Sequence, residues 1–176
     1  MSDFKVIKGS CVDQNVDAIV NAANKYMSHG GGVARAILLK AGPQELNAAC
    51  RKFNLPIKDG ENIVTPAFNI TNAKIIIHAV GPDFGVTPNA FKELFDAYYN
   101  SLISLMNEGY HSISFPLISS SIFGGNLSNP VGESTRECVR AYNKFVSDYP
   151  NYDINVLLCA FNDKEYKLVM DEINNN

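Results

Sequence analysis

The sequence has no tryptophan, only four cysteines and three histidines, and no long apolar run. No segment approaches the roughly 18 uninterrupted apolar residues that a membrane span requires. The first four residues also lack the basic and then apolar pattern of a signal peptide. We therefore expect a soluble cytoplasmic protein without a membrane partner.

The cysteines are too scattered to indicate a metal site or a disulfide framework. Cys11, Cys50, Cys138 and Cys159 form no CxxC pair, and no histidine stands at metal-ligand spacing from them. Four free thiols suit a reducing compartment. The sequence therefore predicts neither a bound metal nor another cofactor.

Positive charge is also in short supply. Fifteen basic residues against 18 acidic ones leave a formal net charge of −3, which is a poor basis for gripping a nucleic-acid backbone. Nucleic acid is therefore a disfavoured partner, whereas a small anion held locally fits. With 46% apolar residues and no linker or repeat, we expect one monomeric domain over residues 1–176.

Short β-branched or aromatic runs alternate with helical patterns along the chain. They predict strands near residues 4–8, 18–21, 63–68, 75–80, 112–115 and 154–160. Helices are predicted at residues 33–40, 44–53, 89–107, 130–147 and 164–173. This alternation favours an α/β fold with parallel strands and helices on both sheet faces. Ligands of such sheets bind at the carboxyl ends of the strands.

The first loop of interest follows the strand at residues 18–21. It passes Asn24 and His29 and reaches Gly30, Gly31 and Gly32 just before a helix. Without Cβ atoms, three successive backbone N–H groups can approach a pyrophosphate, and the positive end of the helix adds a favourable field. An ordinary flexible connector is the alternative, but the position between strand and helix favours a phosphate site.

A second loop, at residues 119–126, also follows a buried strand and precedes a helix. It can form another concave row of N–H donors. The bulky Ile122 and Phe123 at its tip are not typical of a solvated Ser/Gly turn. The two loops are predicted to clamp one diphosphate.

Several motifs now occur in one order: VNAAN at 20–24, HGGGVA at 29–34, IHAVGP at 77–82, FPLIS at 115–119, IFG at 122–124, and a strand ending at Phe161. Together they resemble the macrodomain signature, most closely that of the viral-type branch, over essentially the whole chain. The resemblance implies a three-layer α/β/α sandwich with a mostly parallel central sheet. It also implies ADP-ribose binding and, as in many members, removal of ADP-ribose from modified side chains.

The resemblance also implies roles for individual residues. Asn24 and His29 match active-site positions: the Asn24 carboxamide would orient ribose hydroxyls, and His29 would hold or relay a proton beside them. Phe161 would stack on adenine, although core closure is an equally common role for an aromatic. The full set of implied ADP-ribose contacts is Ser10, Cys11, Ala22, Asn24, Gly30, Gly31, Gly32, Val33, Leu117, Ser119, Ser120, Ser121, Ile122, Phe123, Gly124 and Phe161.

Three positions depart from the family pattern. Ser10 replaces an Asp that accepts a hydrogen bond from adenine in many relatives, and a hydroxyl accepts more weakly than a carboxylate. Ala34 replaces the Asp that activates water in another branch. Ser121 replaces a usual Gly and would be strained if that position required positive φ.

The leading hypothesis is a hydrolase that removes mono-ADP-ribose from Asp or Glu esters, with ADP-ribose and mono-ADP-ribosylated proteins as its partners. A reader that binds ADP-ribose without turnover is the alternative, and an RNA or poly(A) binder is a less favoured one. His78 is predicted to be a hydrogen-bonded core residue and His111 a solvated one. Acidic residues are not expected to group into a paired-carboxylate site.

Overall fold

Six strands form one sheet in the computed structural model, which describes residues 1–175. Asn176, part of the predicted domain, lies outside the described residues. The strands are β1 (Asp3–Lys8), β2 (Ala18–Ala23), β3 (Asn62–Pro66), β4 (Ile75–Val80), β5 (Ser112–Phe115) and β6 (Asn155–Ala160). Their order is β1-β6-β5-β2-β4-β3, and every neighbouring pair is parallel except β3 with β4. The predicted mostly parallel sheet is confirmed.

Five α-helices connect or follow the strands: α1 (Gly32–Ala41), α2 (Pro43–Cys50), α3 (Phe91–Asn107), α4 (Pro130–Asp148) and α5 (Asp163–Asn174). Two short 3-10 turns, Cys11–Asp13 and Ile122–Gly124, were not predicted. Helix α2 ends before the predicted residue 53. The N–H groups of Lys52 and Phe53 bond to carbonyls three residues back, a tightening that is common where a helix terminates.

The alternating side chains of the strands build two cores, one on each face of the sheet. In β4, Ile75 and Ile77 belong to the core that contains residues of α3, α4 and α5, whereas Ile76 belongs to the core that contains residues of α1 and α2. Both faces are therefore covered, as parallel strands require. This confirms the predicted three-layer α/β/α sandwich.

The strand directions decide which loops meet. Because β1, β6, β5, β2 and β4 run parallel, the loops that follow them lie at one edge of the sheet. Strand β3 runs the opposite way, so the residues that precede it reach that same edge. No helix within residues 1–175 is long and apolar enough to cross a membrane.

Candidate functional site

The glycine loop ends at an uncapped helix. Helix α1 begins at Gly32, and its N-cap, Gly31, has extended backbone (φ −170°) and no side-chain capping bond. A Cβ atom on Gly30, Gly31 or Gly32 would meet no heavy atom within 4 Å. No hydrogen bond within residues 1–175 uses the backbone N–H groups of these three residues. Unpaired donors at the positive end of a helix, facing open space, are what an anion needs.

Asn24 shapes the turn that precedes the glycines. Its Oδ1 accepts hydrogen bonds from the N–H groups of Tyr26 and Ser28, both at 3.1 Å. Its Nδ2 donates to the carbonyl oxygen of Ser28 at 2.8 Å and to Ser28 Oγ at 2.7 Å. The carboxamide is thus fully used within its own loop. To orient a ribose hydroxyl as predicted, it must exchange at least one of these bonds.

His29 does not point towards solvent. The residue is 8% exposed, and neither ring nitrogen has a hydrogen-bond partner. Its ring lies edge-on to that of His78, with centroids 5.8 Å apart. Burial lowers the pKa of His29, which favours the neutral imidazole. Because both ring nitrogens are buried, the predicted proton relay would require the side chain to move, and that role stays a prediction.

His78 is fully buried in β4 and bonded through both ring nitrogens. Nδ1 pairs with Asn21 Nδ2 and Nε2 with Thr65 Oγ1, each at 3.0 Å. Burial, assisted by the nearby His29, lowers the pKa of His78 to about 3. The prediction of a hydrogen-bonded core residue is confirmed. A ligating atom of each of His29, His78 and Cys50 lies within 4.8 Å of the others, although nothing in their sequence spacing indicated it.

The second loop is held by its serines. Ser119 has φ +58°, and its Oγ donates to the carbonyl oxygen of Pro82 at 2.6 Å. Ser120 Oγ donates to the carbonyl oxygen of Leu117 at 2.7 Å. Ser121 has φ −113°, so the strain considered for Ser121 does not arise. Positive φ occurs in this loop at Ser119 and Gly125. Within the described chain, no hydrogen bond uses the backbone N–H groups of residues 120–123.

The tip of the second loop is apolar. Ile122 is 88% exposed, and Phe123 is half-buried with its carbonyl oxygen accepting from Phe84 N at 2.8 Å. That bond anchors the tip to the segment that follows β4. The loop therefore presents free N–H groups on an anchored backbone, beneath an exposed apolar side chain.

The predicted adenine end is more open. Phe161 directly follows β6 and is 69% exposed, so the core-closing alternative is wrong and its ring is accessible for stacking. Ser10 Oγ accepts from Val12 N at 3.2 Å and caps a 3-10 turn. The buried Cys11 thiol faces the carbonyl oxygen of Val20 at 3.7 Å. Cys11 can therefore reach a ligand only through its backbone.

Asn24 and Phe123 line the same cavity, which has a volume of about 140 Å³. It is also lined by Lys25, Asp59, Val80, Gly81, Asp83, Val86 and Thr87. Ser120 and Ser121 instead line a second cavity, of about 540 Å³, beside the first turns of α4 and α5. Of the other predicted contacts, Leu117 and Gly124 are buried, and Ala22 and Val33 are half-buried.

A sequence model of the family described as Macro domain matches residues 20–130, more than half of the chain. The chain belongs to the macro domain family. It is similar to a Trypanosoma brucei macrodomain solved in complex with ADP-ribose, with a TM-score of 0.83 and 29% identity, covering 97% of this chain and 68% of that one.

Two sequence relatives extend the comparison. The O-acetyl-ADP-ribose deacetylase of Salmonella typhimurium is 36% identical over 151 residues, which cover 84% of this chain and 82% of the relative. A Thermotoga maritima protein of uncharacterised function is 34% identical over 172 residues, which cover 96% of this chain. The chain spans only 28% of the length of that Thermotoga relative. The viral-type branch stays a prediction.

Two acidic residues of this macrodomain's cavity were not predicted from the sequence. No grouping of carboxylates was expected, whereas Asp59 and Asp83 line the same cavity as Asn24. Asp83 could have been noticed, because it directly follows the motif at residues 77–82 and stands three residues beyond the end of β4. Asp59 precedes β3, and only the antiparallel direction of that strand brings it to this edge.

Two other positions fall where the sequence placed them. Ala34 is 9% exposed in the first turn of α1, so no carboxylate faces a ligand from that position. His111 is exposed just before β5, as predicted. The described carboxylates that line the cavity with Asn24 are those of Asp59 and Asp83.

Proposed function

We propose that this macrodomain binds ADP-ribose and hydrolyses its esters with the Asp and Glu side chains of mono-ADP-ribosylated proteins. The observation that carries the proposal is the uncapped start of α1, where Gly30, Gly31 and Gly32 face open space. A diphosphate is the anion whose several oxygens match such a row of donors. The ADP-ribose complex of the Trypanosoma brucei macrodomain supports this choice of ligand.

The two loops hold the diphosphate from opposite sides in this proposal. The N–H groups of the three glycines donate to one phosphate, and those of residues 120–123 donate to the other. Neither set is used within the described chain, so no existing bond has to break. Phe161 stacks on the adenine ring, and Ser10 contacts its edge through a hydroxyl instead of a carboxylate.

The ester specificity is supported by the Salmonella relative. Its name, O-acetyl-ADP-ribose deacetylase, describes hydrolysis of a carboxylic ester of ADP-ribose. An Asp- or Glu-linked ADP-ribose is also a carboxylic ester of the same sugar nucleotide. In both, water is added across the ester bond, and a carboxylic acid and ADP-ribose with a free hydroxyl are released. A site that binds ADP-ribose can therefore accept either ester as a substrate.

The cavity beside Asn24 supplies the polar groups for this step. Asp59 and Asp83 line it, and a carboxylate can accept a proton from an attacking water. Asp83 Oδ1 already accepts from Gly85 N at 2.9 Å, which orients its side chain. Asn24 takes part by exchanging one of its bonds to Ser28 for a bond to the substrate. In this proposal Asp59 or Asp83 activates the water, which is the role of the Asp that stands at the position of Ala34 in another macrodomain branch.

A reader without turnover is the second candidate, and two observations favour it. The Asn24 carboxamide is fully bonded within its loop, and the His29 ring is enclosed. Neither predicted catalytic side chain is free to act in this arrangement. Binding through backbone N–H groups needs neither of them.

The test begins with calorimetric titration of ADP-ribose, ADP and AMP. Failure to bind ADP-ribose would contradict both candidates. The protein is then incubated with a glutamate-linked mono-ADP-ribosylated protein, and loss of the modification is followed by mass spectrometry. Release by the wild type supports the hydrolase, whereas binding without release selects the reader. RNA binding that ADP-ribose cannot compete away would point to a nucleic-acid function.

Variants test which residues take part in ester hydrolysis. Asn24→Ala, Asp59→Asn and Asp83→Asn are compared with Asp171→Asn, which changes an exposed carboxylate on α5. We expect at least one cavity carboxylate variant to lose about 100-fold in rate, the usual contribution of a general base, while ADP-ribose affinity is kept. Full activity in both cavity variants would exclude Asp59 and Asp83 from the reaction.

A further inference from the structure

Three buried side chains from the first loop, α2 and β4 meet in the interior, and none of them lines the cavity beside Asn24. His29 lies in the loop before α1, Cys50 is the last residue of α2, and His78 lies in β4. Their exposures are 8%, 2% and 0%, and one ligating atom from each lies within 4.8 Å of the other two. Neither Cys50 nor His78 has a role in ester hydrolysis.

His29 is the unusual member of this cluster. Both of its ring nitrogens are buried and without a hydrogen-bond partner, although buried polar atoms are nearly always paired. A cation bound to one ring nitrogen would satisfy that lone pair. The cluster thus contains a buried imidazole whose ring nitrogens have no hydrogen-bond partner among the described residues.

The surroundings of His78 suit a metal ligand as well. Asn21 Oδ1 is buried and unpartnered, while Asn21 Nδ2 contacts His78 Nδ1 at 3.0 Å. A half-turn of this carboxamide would let Oδ1 accept a hydrogen bond from Nδ1–H. Metal-binding histidines typically donate their second N–H to an oxygen in this way. Nε2 would then be the nitrogen that binds the cation. Thr65 Oγ1, which lies 3.0 Å from Nε2, would move aside and keep its bond to the carbonyl oxygen of Pro66.

The donor set selects the type of ion. One thiolate and two imidazoles suit Zn²⁺, whereas Mg²⁺ and Ca²⁺ prefer oxygen ligands. Zn–S and Zn–N bonds of about 2.3 and 2.0 Å place tetrahedral ligand atoms about 3.3–3.6 Å apart. Side-chain rotations that close the cluster by about 1 Å would reach this spacing.

We infer that His29, Cys50 and His78 bind one Zn²⁺ ion. The ion ties the loop that carries Gly30, Gly31 and Gly32 to both α2 and β4, and so holds the phosphate-facing backbone in place. Three protein ligands leave one coordination position for water. Metal binding is measured directly, so this inference can fail or succeed independently of the proposed function.

The experiment uses Co²⁺ as a spectroscopic probe. The full chain is freed of metal with a chelator, dialysed and titrated with Co²⁺. We expect one Co²⁺ per chain, with the charge-transfer absorption of a cobalt–thiolate bond, and displacement by Zn²⁺. Cys50→Ala is expected to abolish that absorption. Cys138→Ala removes an equally buried thiol from the other core and is expected to keep it.

His29→Ala provides a second variant, since its side chain lies in a loop. We expect at least a tenfold loss of Zn²⁺ affinity by calorimetry, with the far-ultraviolet circular dichroism unchanged. If Cys50→Ala does not fold, the His29→Ala titration decides. Absence of stoichiometric Co²⁺ and Zn²⁺ binding by the wild type would overturn the inference. So would wild-type Zn²⁺ affinity in His29→Ala or undiminished thiolate absorption in Cys50→Ala.

Discussion

The hydroxyl oxygen of Tyr98, on α3, lies 2.9 Å from the backbone nitrogen of Ile118 and accepts its hydrogen. The same hydroxyl lies 2.6 Å from Ser134 Oγ, on α4, which donates to the carbonyl oxygen of Ile118. All these groups are buried. Two helices thus hold both backbone groups of the residue from which the second loop departs.

Replacing Tyr98 with Phe tests this support. The buried N–H of Ile118 loses its acceptor, and an unpaired buried donor costs about 1–3 kcal/mol. We expect the free energy of unfolding in urea to fall by that amount and ADP-ribose affinity to fall with it. Tyr99→Phe is the matched control, because the Tyr99 hydroxyl bonds only to Asp148 near the surface. Equal stability of the two variants would contradict this role of Tyr98.

Gly81 marks a close approach between the segment after β4 and the second loop. A Cβ at position 81 would collide with Ile118 Cγ2 and Ser119 Oγ, and Ser119 Oγ donates to Pro82 O. We expect Gly81→Ala to destabilise the protein by about 1–3 kcal/mol, as overpacking does. Gly31→Ala meets no neighbour and should change stability by less than about 0.5 kcal/mol. A thermal melt of both variants checks the difference.

Phe161 is expected to act on ligand binding and not on folding. Its ring is 69% exposed, so Phe161→Ala should leave the unfolding free energy nearly unchanged. Loss of a stacking platform should weaken ADP-ribose, ADP and AMP alike by about 1–3 kcal/mol. Ribose 5-phosphate, which has no base, serves as the insensitive ligand, and Leu39→Ala as the exposed control on α1. Unchanged AMP affinity would show that the ring does not contact adenine.

Asp17 predicts an acid-dependent loss of stability at the opposite edge of the sheet. Burial by itself raises the pKa of Asp17, but hydrogen bonds from His111 N, Lys74 and Ser112 outweigh it, and the pKa is lowered. The unfolded chain therefore takes up the proton more readily. The contribution of Asp17 is complete above the unfolded pKa of about 3.9 and is lost as pH falls through the folded pKa.

Urea unfolding at a series of pH values tests this sign. Asp17→Asn should be less stable than the wild type at pH 7, and the difference should shrink as the pH falls below about 4. Asp171→Asn, which alters an exposed pair with Lys167, should follow the wild-type profile closely. A difference for Asp17→Asn that stays constant down to acid pH would mean that its ionised form contributes nothing.

Much of the fold could be predicted because its signals are local. The bounds of β4 agree with the prediction of residues 75–80, where a strand buried on both faces leaves a nearly continuous apolar pattern. Those of β5 agree with the predicted residues 112–115. The glycine loop was predicted on the same basis, since a triplet between a strand and a helix needs no distant residue to be recognised. The apolar tip of the second loop was likewise visible in the chain.

The hydrogen bonding and burial of the site side chains could not be predicted in the same way. Asn24 and His29 were correctly placed in the first loop, but their bonding depends on neighbours that periodicity does not report. Ser28 occupies both amide hydrogens of Asn24, and Cys50 of α2 and His78 of β4 lie close to the buried ring of His29. Positive φ likewise falls on Ser119 because its hydroxyl bonds to Pro82 across the sheet edge.

The sequence by itself determined the strand–loop–helix segments, the phosphate-suited glycines and the α/β fold with helices on both sheet faces, because each follows from residue type and short-range spacing. Only the tertiary structure decided that β3 reverses direction and carries Asp59 to the cavity, and that His29, Cys50 and His78 meet. Those outcomes depend on strand direction and helix packing. Both are set by contacts between residues far apart in the chain, which local patterns do not encode.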